Sequence, residues 1–289
     1  MKAITILSGK GGVGKSSITA SLAVLLSKKR EIIVADCDVD TPNLGLVLGV
    51  KKFRKEKNIS TNYKAFVNKK AKNCKNIIDS CTFSAISWDK EKKLPKINKF
   101  LCEGCGTCKL LCPKGIKVKK VKNAKIGKAR TKYNFSIVSG QLKMGESGSG
   151  KVVNEVKKLG EKENKEIMLI DSAAGIGCPV IASVQGSDYI IAVTEPNPSA
   201  LSDLKRVLKV VEHFKIPYGI VINKWNINKS FTKKIEKFAN KKNISILGKL
   251  PYDKKFVQAL VNLTPIVVYD KEFQELFKKI LNKTLEQIK

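Results

Sequence analysis

Histidine is nearly missing from this chain: His213 stands alone among 289 residues. Zinc sites built on two or more imidazoles therefore have too few ligands to form. Acidic residues are also scarce, 25 Asp and Glu against 56 Lys and Arg, for a net charge of +31. No apolar stretch reaches 18 residues, so no segment reads as a membrane-spanning helix. Aromatic residues make up 7% of the chain and are not interleaved with the lysines, so no nucleic-acid partner is expected. Met1-Lys2-Ala3 leads directly into an apolar run, which leaves no room for a signal peptide ahead of it. The expected compartment is the cytoplasm, where closely spaced cysteines serve metals more often than disulfides.

Cysteine itself is present and clustered. Cys102 to Pro113 reads C-E-G-C-G-T-C-K-L-L-C-P, four cysteines in eleven residues closed by proline. The spacing C-x2-C-x2-C-x3-C-P is the one bacterial-type ferredoxins wrap around a [4Fe–4S] cube. A zinc knuckle would show two separated C-x2-C pairs or added histidines instead.

The chain opens on a second motif. Ala3 to Leu7 reads as a buried strand, and Gly9-Lys10-Gly11-Gly12-Val13-Gly14-Lys15-Ser16 completes G-x4-G-K-[ST]. An apolar-periodic helix is expected from Ser16 to about Ser27. Strand, glycine loop and helix in that order form a phosphate cradle: backbone N–H groups converge on the phosphates at the positive end of the helix. Lys15 is the candidate for the β- and γ-phosphates, and the Ser16 hydroxyl is the candidate for Mg2+. Gly11, Gly12, Val13, Gly14 and Ser17 complete the expected nucleotide-binding set.

Lys10, immediately before Gly-Gly-Val-Gly-Lys-Ser, gives a loop that resembles the variant found in the MinD/ParA superfamily of ATPases. The resemblance implies a homodimer that sandwiches ATP, with Lys10 reaching the partner's nucleotide. Ile32 to Ala35, ending in Asp36-Cys37-Asp38, resembles the family's first switch. It implies that Asp38 orients the attacking water and that Asp36 supports Mg2+. Ile167 to Ile170, followed by Asp171-Ser172-Ala173-Ala174-Gly175, resembles the second switch, with Asp171 holding Mg2+ through water. Asn223-Lys224 resembles the adenine-reading step and Pro251-Tyr252-Asp253 the base-flanking turn. That makes Asn223, Pro251 and Asp253 candidate base contacts. Gly145 to Lys151 also fits G-x4-G-K, but Val152 replaces the Mg2+-binding hydroxyl, so it reads as a glycine-rich loop before a helix.

Between Gly49 and Phe135 the nucleotide-domain pattern lapses, and six of the eight cysteines fall there. The expected domains are 1–60 and 123–289 for a P-loop ATPase and 61–122 for an inserted [4Fe–4S] module. Two-cluster ferredoxins carry two cysteine runs, and the last cysteine of each run ligates the other cluster. Sliding back 31 residues from the second run lands on Ala71, Cys74, Ile77 and Cys81, so only two of the first four ligands survive. One cluster is therefore expected, on Cys81, Cys102, Cys105 and Cys108, with Cys112 as the alternative fourth ligand. Cys74 and Cys112 would face each other, free or disulfide-bonded. Cys37 and Cys178 lie in the two switch regions, where small buried cysteines are common.

Residues 51–132 carry 25 Lys and Arg against 5 Asp and Glu, a balance of +20 that would steer an acidic redox or iron–sulfur partner protein. Phe273, Leu276, Phe277, Ile280, Leu281, Leu285 and Ile288 form a C-terminal helical stripe, read as packed on the sheet, so peripheral membrane contact is not expected. The expected fold is α/β: a doubly wound, mostly parallel P-loop sheet with a small inserted ferredoxin-like α+β module. The expected function is Mg-dependent ATP hydrolysis that switches a dimer and gates electron transfer from one [4Fe–4S] cluster. The alternatives are an iron–sulfur cluster carrier, weakened by the lack of C-x-x-C after Cys112, and a MinD/ParA-like positioning ATPase with a structural cluster.

Overall fold

The computed structural model describes residues 1–288, the side chain of Lys55 excepted. Among the described residues the strands are β1 Lys2–Ser8, β2 Ile32–Cys37, β3 Arg54–Ile59, β4 Asn62–Val67, β5 Ile86–Asp89, β6 Leu94–Ile97, β7 Ile116–Val121, β8 Ala124–Arg130, β9 Ser136–Leu142, β10 Ile167–Ala174, β11 Tyr189–Thr194, β12 Tyr218–Asn223 and β13 Ser245–Leu250. The chain divides into two compact units. One comprises Met1–Glu56, Ile126–Gln141 and Ser149–Lys289, and the other Lys57–Lys125 and Leu142–Gly148.

The first unit is built on a sheet that, among the described residues, has nine strands in the order β13-β12-β11-β1-β10-β2-β9-β8-β3. From β13 to β9 every neighbouring pair is parallel. β2 (IIVADC) and β11 (YIIAVT) are buried at all six positions, as strands covered on both faces require. Alternation along β11 and β12 distributes the covering helices. Ile191, Val193 and Val221 join the cluster of Ile18, Leu22 and Leu26 from the helix Lys15–Leu26. Ile190, Ala192, Ile220 and Ile222 pack instead with Leu204, Val207 and Leu208 of the helix Pro198–His213. His213 is the last residue of that helix. β1 lies between β11 and β10, while the chain leaves it for β2 beyond β10. Such a reversal of strand order opens a crevice at the carboxyl ends of the strands, where ligands bind in open α/β sheets.

The C-terminal stripe packs on this sheet. In the helix Gln274–Glu286, Phe277, Ile280 and Leu281 are buried. A Cβ on Gly248 of β13 would stand 2.5 Å from Ile280 Cγ1, so only glycine lets helix and strand approach this closely.

The second unit holds two antiparallel pairs. β4 and β7 align from Asn62 opposite Val121 to Val67 opposite Ile116, and β5 pairs with β6. Its apolar cluster comprises Ala65, Ala71, Ile77, Ala85, Ile86 and Ile116 together with Cys102 and Cys112. Few of these side chains are large, and a core this small needs a covalent or metal staple. A Cys74–Cys112 disulfide supplies one. The segment Leu142–Gly148, whose sequence reads as part of the nucleotide domain, belongs to this unit. Ser147 accepts hydrogen bonds from Asn62 Nδ2 (2.7 Å, to Oγ) and Asn123 Nδ2 (3.0 Å, to its carbonyl). Glu146 pairs with the buried Lys64 at 3.2 Å. The glycine-rich loop therefore serves as a tether of this unit.

Ile280→Ala removes a fully buried side chain beside a strand glycine that cannot fill the space, and is expected to destabilise the protein by about 2–5 kcal/mol. Urea unfolding measures it. A loss under about 1 kcal/mol would mean that the helix is not packed as described.

Candidate functional site

The loop after β1 closes on itself through side chains far away in sequence. Gly14 adopts φ 92° and caps the helix Lys15–Leu26, a conformation that costs other residues strain. A Cβ there would also stand 2.4 Å from Asn223 Nδ2. Asn223 uses that amide to donate to the Val13 carbonyl at 2.8 Å, and its Oδ1 accepts from the Lys224 N–H at 3.0 Å. Its side chain thus braces the loop from the end of β12.

The resulting cleft, about 690 Å³, is lined by Gly11, Gly12, Gly14, Lys15, Ser16, Ser17 and Asp38, with Ala173 and Ala174 beyond. Beneath it, Lys15 Nζ pairs with Asp171 Oδ1 at 3.1 Å, both side chains almost wholly buried. Thr19, one helical turn on, donates to the same carboxylate oxygen at 3.1 Å. Asp171 Oδ2 and Ser172 Oγ are buried without a hydrogen-bond partner among the described residues. Asp36 accepts from the Leu44 N–H at 3.2 Å and the Asp38 N–H at 3.3 Å. Burial, and then the neighbouring Asp171 carboxylate, hold its carboxyl well above the usual aspartate range despite Lys15. Burial also raises Asp38, which accepts from Thr41 at its N–H (3.4 Å) and hydroxyl (3.3 Å).

Other expected residues lie elsewhere. Lys10 does not line the cleft; its ammonium pairs with Glu195 Oε1 at 3.2 Å. Neither Pro251 nor Asp253 lines it, and Asp253 caps the helix Lys254–Val261 by accepting from the Lys255 N–H at 2.8 Å. Thr19 and Glu195 carry no motif, and nothing in the local sequence marks them.

The sequence pattern of the CbiA family, the CobQ/CobB/MinD/ParA nucleotide binding domain, matches residues 4–266. The chain belongs to that family. An uncharacterized protein of Methanocaldococcus jannaschii is 34% identical to this MinD/ParA-family chain over 290 aligned positions, covering 99% of it and 97% of the relative. An iron–sulfur cluster carrier protein of Pyrococcus horikoshii is 27% identical over 307 positions, 99% of this chain and 87% of that one. Among solved structures, the septum site-determining protein MinD of Pyrococcus horikoshii with Mg-ADP superposes with a TM-score of 0.61 at 21% identity. It covers 98% of this chain and 95% of that one, a likeness of fold.

In the second unit of this MinD/ParA-family chain, Cys81, Cys102, Cys105 and Cys108 line one small pocket whose remaining wall is mostly apolar, including Ala65, Phe83, Ala85, Ile86 and Ile97. Two of the sulfurs meet backbone donors: Ala65 N–H to Cys102 Sγ and Ala85 N–H to Cys81 Sγ, each 3.4 Å. Cys105 Sγ lies 3.5 Å from the Thr107 hydroxyl, and that contact draws its thiol below the usual range. Burial, then the neighbouring Cys102 and Cys105, push Cys108 up. Among the described residues no three His, Cys, Asp or Glu side chains converge as they would on a single metal ion. Cys112, the alternative fourth ligand, is bonded to Cys74. The switch-region cysteines differ from each other: Cys37 is fully buried, and burial then Asp36 push its thiol far up, whereas Cys178 is exposed rather than buried.

Lys15→Ala leaves Asp171 buried without a cation and is expected to destabilise the nucleotide-free protein by about 3–5 kcal/mol. Adding Asp171→Ala to that variant should cost far less than Asp171→Ala alone, because the pair is already broken. Denaturant unfolding of the two single variants and the double variant checks this, and additive costs would show that the two groups do not interact.

Proposed function

We propose that this chain is a Mg-dependent ATPase whose nucleotide-driven switching, in a homodimer, is coupled to one [4Fe–4S] cluster and gates electron transfer to an acidic protein partner. The observation that carries the reading is the shared pocket of Cys81, Cys102, Cys105 and Cys108, and the bond of Cys112 to Cys74 supports that set over the alternative with Cys112. A cubane takes one thiolate per iron, so its ligands stand around a body instead of converging on a point. Four sulfurs round one apolar pocket, two already accepting backbone N–H bonds, suit that demand. The module is 61–122 by sequence and falls within the unit Lys57–Lys125 plus Leu142–Gly148. A bound cluster would supply one-electron transfer. The protein's part is to hold the thiolates in place and shield the cluster from water.

At the nucleotide, Lys15 and the amides of Gly11, Gly12 and Gly14 would stabilise charge on the transferred phosphoryl group, and Asp38 would orient the attacking water. The buried Asp171 Oδ2, without a partner among the described residues, suits a Mg2+ held through water, with Ser16 and Asp36 as the other candidates. Mg2+ would neutralise phosphate charge there. Asn223, already bracing the loop, is the base-side contact of this reading, with Pro251 and Asp253 after β13.

The second reading, an iron–sulfur cluster carrier, is favoured by relatives that bear that name at 27% and 26% identity. Against it stands the absence of any C-x-x-C after Cys112.

Anaerobically purified protein is expected to contain four irons and four sulfides per chain (the cubane stoichiometry) and to show its EPR signal on reduction. Cys81→Ala should lose both and Cys112→Ala keep both; the opposite outcome would move the fourth ligand to Cys112. Asp38→Asn should lower kcat roughly 10²-fold with little change in ATP affinity. An ATPase rate that follows the redox state of the cluster supports gating, whereas delivery of iron and sulfide to an apo-acceptor supports the carrier.

A further inference from the structure

Glu195 follows β11, the neighbour of β1, and so stands beside the loop that leaves β1. It is one of few acids in a strongly basic chain and only 13% exposed, and it takes three donors. Lys10 Nζ reaches Oε1 at 3.2 Å, Asn197 Nδ2 reaches Oε1 at 3.0 Å, and Lys224 Nζ reaches Oε2 at 2.9 Å. Lys224 Nζ also reaches the Gly12 carbonyl at 3.4 Å. One carboxylate therefore ties the start of the phosphate loop to its middle and to the end of β12. Although burial alone would raise its pKa, the hydrogen bonds from Lys224 and Lys10 hold it below the usual glutamate range, so it stays charged.

We infer that Glu195 is a positioning residue of the nucleotide site: it holds Lys10 against its own protomer, outside the cleft, until nucleotide phosphate takes the ammonium over. The hold itself stands on the contacts above, whereas its consequence for turnover rests on the proposed ATPase reading. The two loop lysines are thereby divided. Lys15 is fixed beneath the cleft on Asp171, while Lys10, with 39% of its side chain exposed, is held only at the rim. An ion pair that open is worth about 0.2–1 kcal/mol, enough to set a position and too little to trap it against a multiply charged phosphate. Asn197 and Lys224 keep the carboxylate oriented when Lys10 leaves. Glu195 thus sets how readily Lys10 becomes available in trans.

The test uses the full-length, nucleotide-free protein and trace acetylation by N-hydroxysuccinimide acetate, with Lys10 read by peptide mass spectrometry. Glu195→Gln, close to isosteric, should acetylate at Lys10 roughly two- to fivefold faster than the wild type. Salt should speed the wild-type reaction and leave the variant's rate relative to a control lysine unchanged. With Mg-ATP, Glu195→Gln should lower the protein concentration for half-maximal dimerisation, read by sedimentation, by a similar factor, and this shift should vanish in a Lys10→Ala background. Unchanged acetylation overturns the hold, and an equal shift in the Lys10→Ala background overturns its action through Lys10. Faster acetylation with no ATP hydrolysis by any form leaves the hold in place and removes the ATPase reading.

Discussion

The buried pair of Lys15 and Asp171 is the constraint from which the nucleotide site is organised. Two charges withdrawn from water, one on the first residue of the helix Lys15–Leu26 and one within β10, require near-ideal placement, since either alone would be strongly unfavourable there. Thr19 shares the load on Asp171, and burial together with the nearby Asp171 carboxylate raises the carboxyl of Asp36. A buried ion pair is weak evidence for stability and better evidence for placement. It fixes the loop lysine through contacts within the chain, while the other oxygen of Asp171 has no hydrogen-bond partner among the described residues.

Most of the nucleotide domain is legible in its sequence because its signals are local. Continuous apolar runs such as Ile32–Ala35 become strands buried on both faces, and G-x4-G-K-S sits between a strand and a helix as the pattern demands. What escapes is long-range. Nothing near Glu195 announces Lys10, 185 residues away, and nothing near Ser147 announces Asn62. Counting which ligands a degenerate cysteine run has lost sets Cys74 opposite Cys112 but leaves open whether they are free or bonded; the small residues clustered around them have no periodic pattern to read. Cys178 looks like a core cysteine by residue type, but as the first residue of a helix it is left facing solvent.

Some lysines of the second unit find partners through space in ways its composition hides. Lys64 is buried against Glu146, while Lys99 and Lys119 stand over the Phe66 ring at 5.3 and 6.0 Å. Lys120 lies 5.8 Å from the Tyr63 ring. Aromatics that are not interleaved with lysines along the chain therefore meet them across the β4–β7 pair. Each such contact is worth only about 0.5–1 kcal/mol at an exposed site, so most of the excess charge remains available to act at a distance.

The Cys74–Cys112 bond has a topological result. Along the chain it encloses Cys81, Cys102, Cys105 and Cys108, so all four pocket thiols belong to one ring closed across 38 residues. Even with every other contact melted, that ring forbids the extended conformations in which the thiols drift far apart, a restriction worth roughly 4 kcal/mol of chain entropy. The thiols thus stay within one closed loop even in the unfolded polypeptide, and their local concentration stays high whenever the unit opens and closes.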